Sequence, residues 1–271
     1  MAGVLAGRAV VVTGAGRGLG EAYARLAAAE GASVVVNDVD ADAASAVAGE
    51  IGAVADDSDI STWAGAARLV DTCRRVHGRV DGLVNNAGLF RLADPRDQDP
   101  EEFRRVLEVN LLGTAYCGLH AIRAMLAQGG GSVVNVTSGA QAGTAALAAY
   151  GASKGGVASL TWAWAADLAG TGVRVNGISP NAHTRMADAF ERHLGDRARG
   201  QNVGKSPSSN APAVVYLLSD AAAGITGRIL RVDGDELSVV TPPRAVGAVR
   251  VAHWSVDAVA AAFAGGLPAD R

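Results

Sequence analysis

The feature that most constrains the fold is a regular alternation of short β-branched segments with longer, alanine-rich segments. Several of the short segments are continuous apolar runs, as expected of strands that are buried on both faces of a sheet. This alternation indicates right-handed crossovers and a parallel sheet with helices on both faces. The predicted strands are Ala9–Thr13, Ser33–Asn37, Gly82–Asn85, Ser132–Val136, Arg174–Ile178 and Ile229–Val232. The predicted helices lie near Leu19–Glu30, Asp40–Glu50, Thr62–His77, Pro100–Gln128, Ala149–Ala169 and Ala211–Leu218.

Length and composition favour one domain. The 271 residues are 49% hydrophobic, with no internal repeat and no interdomain linker, which is enough for one large core over residues 1–271. Two segments fit the alternation poorly. Residues 181–209 are polar and irregular, and residues 237–271 form a C-terminal extension with a possible helix at Val256–Phe263. We therefore predict a single-domain, doubly wound α/β fold to which these two segments are added.

Charge, aromatic content and cysteine spacing exclude several classes of partner. A net charge of −3 and an aromatic content of 4% give no attraction to nucleic acid and no base-stacking surface. No apolar run approaches the ~20 residues that a membrane-spanning helix needs. Cys73 and Cys117 match no metal-ligand spacing and no disulfide framework. We expect a reduced, cytoplasmic protein that binds small molecules and has no metal site.

A glycine-rich stretch, "VVVTGAGRGLG", joins the first predicted strand to the first predicted helix. Glycines permit a tight turn and let backbone N–H groups approach a pyrophosphate, and the positive end of the helix dipole adds to the attraction. A tight turn without a ligand is the alternative for such a loop alone. Its place at the first crossover of an α/β pattern favours a Rossmann-type dinucleotide site. The residues expected nearest the phosphates are Gly14, Arg17, Gly18, Leu19 and Gly20.

Asp38 lies directly after the second predicted strand, 18 residues beyond Gly20. A carboxylate there can bind both hydroxyls of the adenosine ribose and would repel a 2′-phosphate, which favours NAD over NADP. An ordinary turn aspartate is the alternative. Arg17 argues for NADP, because a cation beside the loop could pair with the 2′-phosphate. We give Asp38 more weight, because a close like charge costs more than a flexible surface arginine returns.

Tyr150 and Lys154, in "YGASKGGV", are four residues apart and therefore lie on one face of a predicted helix. A free phenol has a pKa of about 10, and an adjacent ammonium favours the phenolate. A bound nicotinamide cation would act in the same direction. Such a pair can donate and accept a proton near neutral pH. The alternative is an amphipathic helix whose lysine extends to solvent.

Polar residues also follow two other predicted strands. Ser138 lies 12 residues before Tyr150, where its hydroxyl could hydrogen-bond a substrate carbonyl oxygen. The "NNAG" stretch ends another strand and could line a cofactor. Each of these could instead be an ordinary turn residue. The "NNAG" residues expected to face the cofactor are Asn86, Ala87 and Gly88.

Taken together, these motifs resemble those of the short-chain dehydrogenase/reductase superfamily. "TGAGRGLG", "NNAG", Asn110 in "EVNLLGT", Ser138 and "YGASK" occur in the order and approximate spacing of that superfamily, over roughly residues 5–235. The resemblance implies a doubly wound, seven-stranded parallel sheet, a nicotinamide cofactor, and reversible hydride transfer between an alcohol and a ketone. It implies that Tyr150 is the acid and base, and that Lys154 lowers its pKa and binds the nicotinamide ribose. Ser138 would position the substrate oxygen, and Asn110 would hold a proton-relay water.

The resemblance implies further features of the site and the assembly. A substrate lid is expected over residues 181–209, and a homodimer or homotetramer is expected through the helices near 100–128 and 149–169. Asn110 could alternatively bond to a backbone carbonyl inside its apolar helix, where asparagine is disfavoured. The remaining residues that the resemblance places at the cofactor are Asp59 and Ile60 at the adenine, and Pro180 and Thr184 at the nicotinamide end.

Two stretches suggest one branch of the superfamily. "ISPNAHTRM", with Asn181 where most members have glycine, and the extension with Trp254 resemble the dehydrogenase module of peroxisomal multifunctional enzyme type 2. That branch oxidises 3-hydroxyacyl-CoA thioesters with NAD, and some members act on hydroxysteroids. We therefore predict an NAD(H)-dependent oxidoreductase that acts on a secondary alcohol or ketone, with these two substrate classes as candidates.

Two other functions stay open. The first is an NADPH-dependent ketoreductase of the 3-ketoacyl or polyketide type, which Arg17 favours. A comparison of kcat/KM for NAD(H) and NADP(H) distinguishes it. A non-catalytic dinucleotide-binding sensor is the second, and a panel of inert alcohols and ketones would favour it. The presence of Asn110, Ser138, Tyr150 and Lys154 argues against a sensor, which has no need of an acid and base.

Overall fold

The structure is a computed structural model that describes residues 3–182 and 206–265. The chain falls into two compact units, residues 1–240 and residues 241–271. Most of the predicted lid, including Thr184, lies outside the described residues. The first unit contains the whole β-sheet and all of the candidate site residues that the structure describes.

One sheet of eight strands forms the centre of the first unit, in the order β3-β2-β1-β4-β5-β6-β7-β8. Strands β1 to β7 are parallel, which confirms the predicted doubly wound α/β architecture. The expected number of seven strands is corrected to eight, because β8 pairs antiparallel with β7. The strands are β1 (Ala9–Thr13), β2 (Ser33–Asn37), β3 (Val54–Asp56), β4 (Gly82–Asn85), β5 (Gly131–Val136), β6 (Val173–Asn181), β7 (Ile229–Asp233) and β8 (Glu236–Val240).

The described helices of the first unit lie in the segments that connect successive strands. They are α1 (Gly18–Ala29), α2 (Ala41–Ile51), α3 (Trp63–His77), α4 (Pro100–Leu107), α5 (Gly113–Gln128), α6 (Ala148–Asp167) and α7 (Ala211–Leu218). Asp40, Thr62 and Asp99 accept backbone N–H groups at the first turns of α2, α3 and α4, as preferred N-cap residues do. The predicted helix Pro100–Gln128 is interrupted by a π-helical turn, Glu108–Leu112, which carries Asn110.

Apolar residues of the strands pack on both faces of the sheet. Val10 and Val12 belong to a core cluster with α1 and α7, whereas Ala9 and Val11 belong to a second cluster with α3 and α5. Successive side chains of a strand point to opposite faces, so a strand buried on both faces needs a continuous apolar run. This two-sided burial explains why β1 and β2 are readable from the sequence.

The strand order reverses on either side of β1, with β2 on one side and β4 on the other. In open parallel sheets, ligands bind at the carboxyl ends of the strands next to such a reversal. The segments that follow β1, β4 and β5 carry the glycine loop, "NNAG" and Ser138. The fold therefore brings the three predicted site segments to one edge of the sheet.

The second unit contains helix α8 (Val256–Ala264), whose first turn is capped by Ser255. Its bounds agree with the helix predicted at Val256–Phe263. Residues 237–240, which the sequence assigned to the C-terminal extension, lie in β8. No helix among residues 3–182 and 206–265 is long and apolar enough to cross a membrane.

Candidate active site

The glycine loop has a backbone conformation that favours glycine. Gly14 and Gly18 have φ angles of 59° and 62°, in the left-handed region that other residues rarely adopt. A Cβ atom at Gly20 would overlap the carbonyl oxygen of Gly14 and the side chain of Asn86. Arg17, at the start of α1, makes no side-chain cap. The N–H groups of the first turn therefore have no side-chain acceptor from the capping position and are compatible with a phosphate.

Asn86 ties the glycine loop to the end of β4. Its side-chain amide donates to the carbonyl oxygens of Thr13 and Gly14, each at 2.9 Å. The Thr13 hydroxyl accepts the backbone N–H groups of Asn86 and Ala87, at 3.0 and 3.1 Å. Sequence reasoning missed Thr13, although a buried threonine that ends an apolar strand was the available signal.

Asp38 lies against the glycine loop, as predicted for a residue that binds the adenosine ribose. Its Oδ2 accepts the N–H of Gly16 at 3.1 Å, and a Cβ at Gly16 would come within 3.0 Å of that oxygen. Arg17 forms an ion pair with Asp40 on the surface. The cation that argued for NADP is therefore balanced by a carboxylate of this chain.

These residues fit a nicotinamide dinucleotide. The glycine loop can approach a pyrophosphate closely, the start of α1 offers N–H groups, and Asp38 stands at the end of the neighbouring strand β2. A Cβ at Gly16 or Gly20 would clash with atoms of this chain, so these glycines allow the tight packing of the loop, whereas the space beside Gly18 is open. Among the described residues, no group of three or more His, Cys, Asp or Glu could hold a metal ion.

Among the described residues, no hydrogen bond or ion pair joins Asp59 or Ile60 to Asp38. Ile60 is 4% exposed and belongs to the second core cluster. The Asp59 carboxylate lies 3.7 Å from the guanidinium of Arg105. The backbone N–H of Asp38 instead donates to the carbonyl of Asp56 at 3.1 Å. The end of β3 therefore adjoins Asp38, and the placement of Asp59 and Ile60 at the adenine stays a prediction.

Tyr150 and Ser138 are brought together by the start of α6 and the turn after β5. Burial of the phenol raises the pKa of Tyr150, and the Ser138 side chain beside it has a smaller effect that lowers the pKa. The Ser138 hydroxyl also accepts the N–H of Ala140 at 3.2 Å.

Lys154 is buried, with 3% of its surface exposed. Its ammonium donates to the carbonyl oxygen of Val136 at 2.7 Å and lies 5.7 Å from the centroid of the Tyr150 ring. Burial lowers the pKa of Lys154 to about 8. The expected lowering of the Tyr150 pKa by Lys154 stays a prediction.

Asn110 is fully buried in the π-helical turn and holds two neighbouring segments. Its Oδ1 accepts the N–H of Leu89 at 2.7 Å, and its Nδ2 donates to the carbonyl of Leu89 at 2.9 Å. Nδ2 also donates to the hydroxyl of Ser153 at 3.1 Å. The side chain thus positions the segment after "NNAG", and the proton-relay role of Asn110 stays a prediction.

Gly88 and Pro180 also lie at the carboxyl edge of the sheet. A Cβ at Gly88 would lie 3.3 Å from Oδ1 of Asn110, so glycine gives room for the Asn110 side chain. Pro180 is in β6, in register with Val232 of β7, and the next residue, Asn181, donates to Asp233 at 2.9 Å.

Comparisons with known proteins agree with this geometry. A family model described as enoyl-(acyl carrier protein) reductase matches residues 14–234. The cis-4-hydroxycyclohexanecarboxylate dehydrogenase of Sinomonas cyclohexanicum is 39% identical, over 88% of this chain and 100% of that protein. The 3-alpha-(or 20-beta)-hydroxysteroid dehydrogenase of Mycobacterium bovis is 36% identical, over 86% of this chain and 91% of that protein.

Two solved structures are also similar. A short chain dehydrogenase from Mycobacterium avium has a TM-score of 0.85 at 35% identity, and the match covers 98% of both chains. The chain belongs to the short-chain dehydrogenase/reductase superfamily. A 3-ketoacyl-(acyl-carrier-protein) reductase from Brucella melitensis, complexed with NADH, has a TM-score of 0.79 at 35% identity, over 85% of this chain and 98% of that one.

Membership of the short-chain dehydrogenase/reductase superfamily confirms three predictions from the sequence. The protein is an oxidoreductase that acts on CH–OH groups, it has the Rossmann-type fold, and it belongs to a superfamily that binds NAD or NADP. The more specific resemblance to the multifunctional-enzyme branch stays a prediction.

Proposed function

We propose that the protein is an NAD(H)-dependent dehydrogenase of secondary alcohols, with Tyr150 as the acid and base. The observation that carries the proposal is the buried Lys154 ammonium, 5.7 Å from the centroid of the Tyr150 ring, together with the Ser138 side chain that acts on the pKa of the phenol. A nicotinamide dinucleotide, when bound, supplies the hydride acceptor for oxidation and the hydride donor for reduction. The chain itself must hold the alcohol and move its proton.

The proton moves between the alcohol and the phenol oxygen of Tyr150. In oxidation, the Ser138 hydroxyl hydrogen-bonds the substrate oxygen while Tyr150, as the phenolate, accepts the hydroxyl proton. In reduction, Tyr150 returns that proton and Ser138 stabilises the negative charge that develops on the carbonyl oxygen. The Lys154 ammonium donates to the carbonyl of Val136 at the carboxyl end of β5. From there its positive charge favours the phenolate form of Tyr150, and its N–H groups can donate to ribose hydroxyls.

Three contacts support NAD rather than NADP as the coenzyme. Asp38 is fixed by the Gly16 N–H, so its carboxylate would lie against a 2′-phosphate. Arg17, the nearest cation of the loop, is paired with Asp40. Asp40 in turn caps α2 through the N–H of Ala43, which fixes its position. A 2′-phosphate would therefore meet one carboxylate and a cation that is already paired.

The substrate class that we propose is a secondary alcohol whose carbinol carbon lies in a carbocyclic ring. The two curated relatives described above act on a hydroxycyclohexanecarboxylate and on hydroxysteroids, and both align over most of their length. The hydroxysteroid class was a candidate from the sequence, as was the 3-hydroxyacyl thioester, which is kept as a comparison substrate. The cytoplasmic location and the homodimer or homotetramer also stay predictions.

A coenzyme-reduction screen tests the substrate class. We expect NAD reduction with cyclic secondary alcohols, represented by cyclohexanol, 4-hydroxycyclohexanecarboxylate and a 3-hydroxysteroid, at higher kcat/KM than with a 3-hydroxyacyl-CoA thioester. Formation of NADH at 340 nm is the measurement, with the matching ketones measured in the reverse direction. Absence of turnover with every alcohol and ketone would contradict the proposed function.

Substitution of Asp38 tests the coenzyme assignment. We expect the wild-type kcat/KM to favour NAD over NADP by at least about 100-fold, and Asp38→Asn to reduce that ratio by about tenfold or more, because the repulsion between the carboxylate and the 2′-phosphate is removed. Asp71→Asn, on the exposed surface of α3, is the matched control and should leave the ratio unchanged. A wild-type preference for NADPH would show that the coenzyme assignment is wrong and would favour the ketoreductase alternative.

A further inference from the structure

The aromatic ring of Phe90 contacts the ring of Tyr150 edge to face. The ring centroids are 5.1 Å apart, and the planes are inclined at 71°, which is a preferred geometry for an aromatic pair. Phe90 is half-buried and follows "NNAG" by two positions. Apolar surface of this chain therefore adjoins the phenol that is to receive the substrate proton.

The position of Phe90 is fixed by the same amide that fixes the Tyr150 helix. Asn110 holds both backbone polar groups of Leu89, the residue before Phe90. Nδ2 of Asn110 also donates to Ser153, whose hydroxyl donates to the carbonyl of Tyr150 at 2.7 Å. A fully buried side chain thus holds the Phe90 segment and the Tyr150 turn together, so the pair of rings is preorganised.

We propose that Phe90 is a specificity-determining residue that favours ring-bearing secondary alcohols; the inference rests on the proposed function. A carbinol oxygen that reaches the Tyr150 hydroxyl places its neighbouring carbons next to the Phe90 ring. A carbocycle makes dispersion contacts with that ring without losing internal rotations. An open chain of the same size must give up several rotations for the same contact.

Two six-carbon alcohols test the inference, because they differ mainly in ring closure. We expect the wild type to oxidise cyclohexanol with a higher kcat/KM than 3-hexanol, and Phe90→Ala to reduce this ratio by about tenfold. Phe90→Tyr keeps the aromatic ring and should keep most of the preference. Phe90→Leu keeps most of the volume without the ring, and should lie between the two.

The controls separate selectivity from a loss of folding. Val76→Ala, at an exposed position in the last turn of α3, removes apolar atoms outside the candidate site and should not change the ratio. A ratio that is the same in Phe90→Ala and wild type would overturn the inference while the proposed function stands. A wild-type preference for 3-hexanol would overturn the inference and the proposed substrate class, while the NAD(H)-dependent dehydrogenase activity with Tyr150 as the acid and base stands. A wild type that turns over neither these alcohols nor any other would overturn the proposed function, and this inference with it.

Discussion

Replacement of Tyr150 by phenylalanine is expected to lower kcat for alcohol oxidation by about 10³-fold, because general acid–base catalysis contributes about 10²–10⁴-fold. The substitution removes only the phenol oxygen and keeps the ring that packs edge to face with Phe90. We therefore expect the fold and the coenzyme site to persist. Steady-state oxidation of a cyclic alcohol gives kcat, and NADH fluorescence gives the dissociation constant of the coenzyme.

Tyr216→Phe is the matched control. Tyr216 is 42% exposed on α7, and its substitution removes a phenol oxygen at a position outside the candidate site. The pH profile adds a second readout. Since burial raises the pKa of Tyr150 in the free protein, kcat/KM for oxidation should rise with pH through the neutral range in the wild type. Retention of more than about a tenth of the wild-type kcat in Tyr150→Phe would show that another group carries the proton.

The strands that the sequence predicts well are those buried on both faces. Three of the five residues in each of β1 and β2 are valine, and the observed bounds of both strands equal the predicted ones. The missed strands lack that signal. β3 has three residues that are partly or fully exposed, and β8 is an exposed edge strand that begins with Glu236. Periodicity reports burial, so a strand with little burial leaves little pattern to read.

The contacts between site residues differ in how far apart the residues are in the sequence, and this decides which contacts can be predicted. Tyr150 and Lys154 share a helix face, so their proximity follows from a spacing of four residues. The contact of Phe90 with Tyr150 joins segments 60 residues apart and depends on the bridging amide of Asn110. No local pattern encodes such a contact. Thr13 was overlooked for a different reason, because a polar residue at a strand end is common and its partners lie on β4.

The Lys154 ammonium has a backbone partner that its spacing from Tyr150 does not predict. The spacing predicted a cation that lowers the pKa of the neighbouring phenol. The structure directs Nζ to the carbonyl of Val136, and burial raises the pKa of Tyr150. A one-dimensional spacing gives the face of a helix but not the polar partner that a long side chain selects. The structure thus adds the carbonyl of Val136, at the end of β5, as the hydrogen-bond partner of the ammonium.

Replacement of Lys154 by methionine is expected to stabilise the protein near neutral pH while it lowers kcat/KM by on the order of 10²-fold, as loss of one electrostatic group in an active site does. Burial of the ammonium lowers its pKa from 10.5 to about 8, which corresponds to a cost of about 3 kcal/mol below pH 8. Loss of the hydrogen bond to Val136 offsets about 1 kcal/mol of the gain. The free energy of unfolding at pH 7 should thus increase by about 1–2 kcal/mol.

The pH dependence gives the sign of this effect. Between pH 8 and 10.5, the unfolded chain binds the Lys154 proton more tightly than the folded protein does, so the stability of the wild type rises with pH through that window. The Met variant lacks this contribution, and its advantage should shrink as the pH approaches 10.5. Urea unfolding at pH 7 and pH 10 measures the difference, with Lys154→Arg as a control that keeps the buried charge. A Met variant that is less stable than wild type at pH 7 would contradict the argument. That result would show that the buried ammonium stabilises the folded protein, whereas we expect its burial to lower the free energy of unfolding.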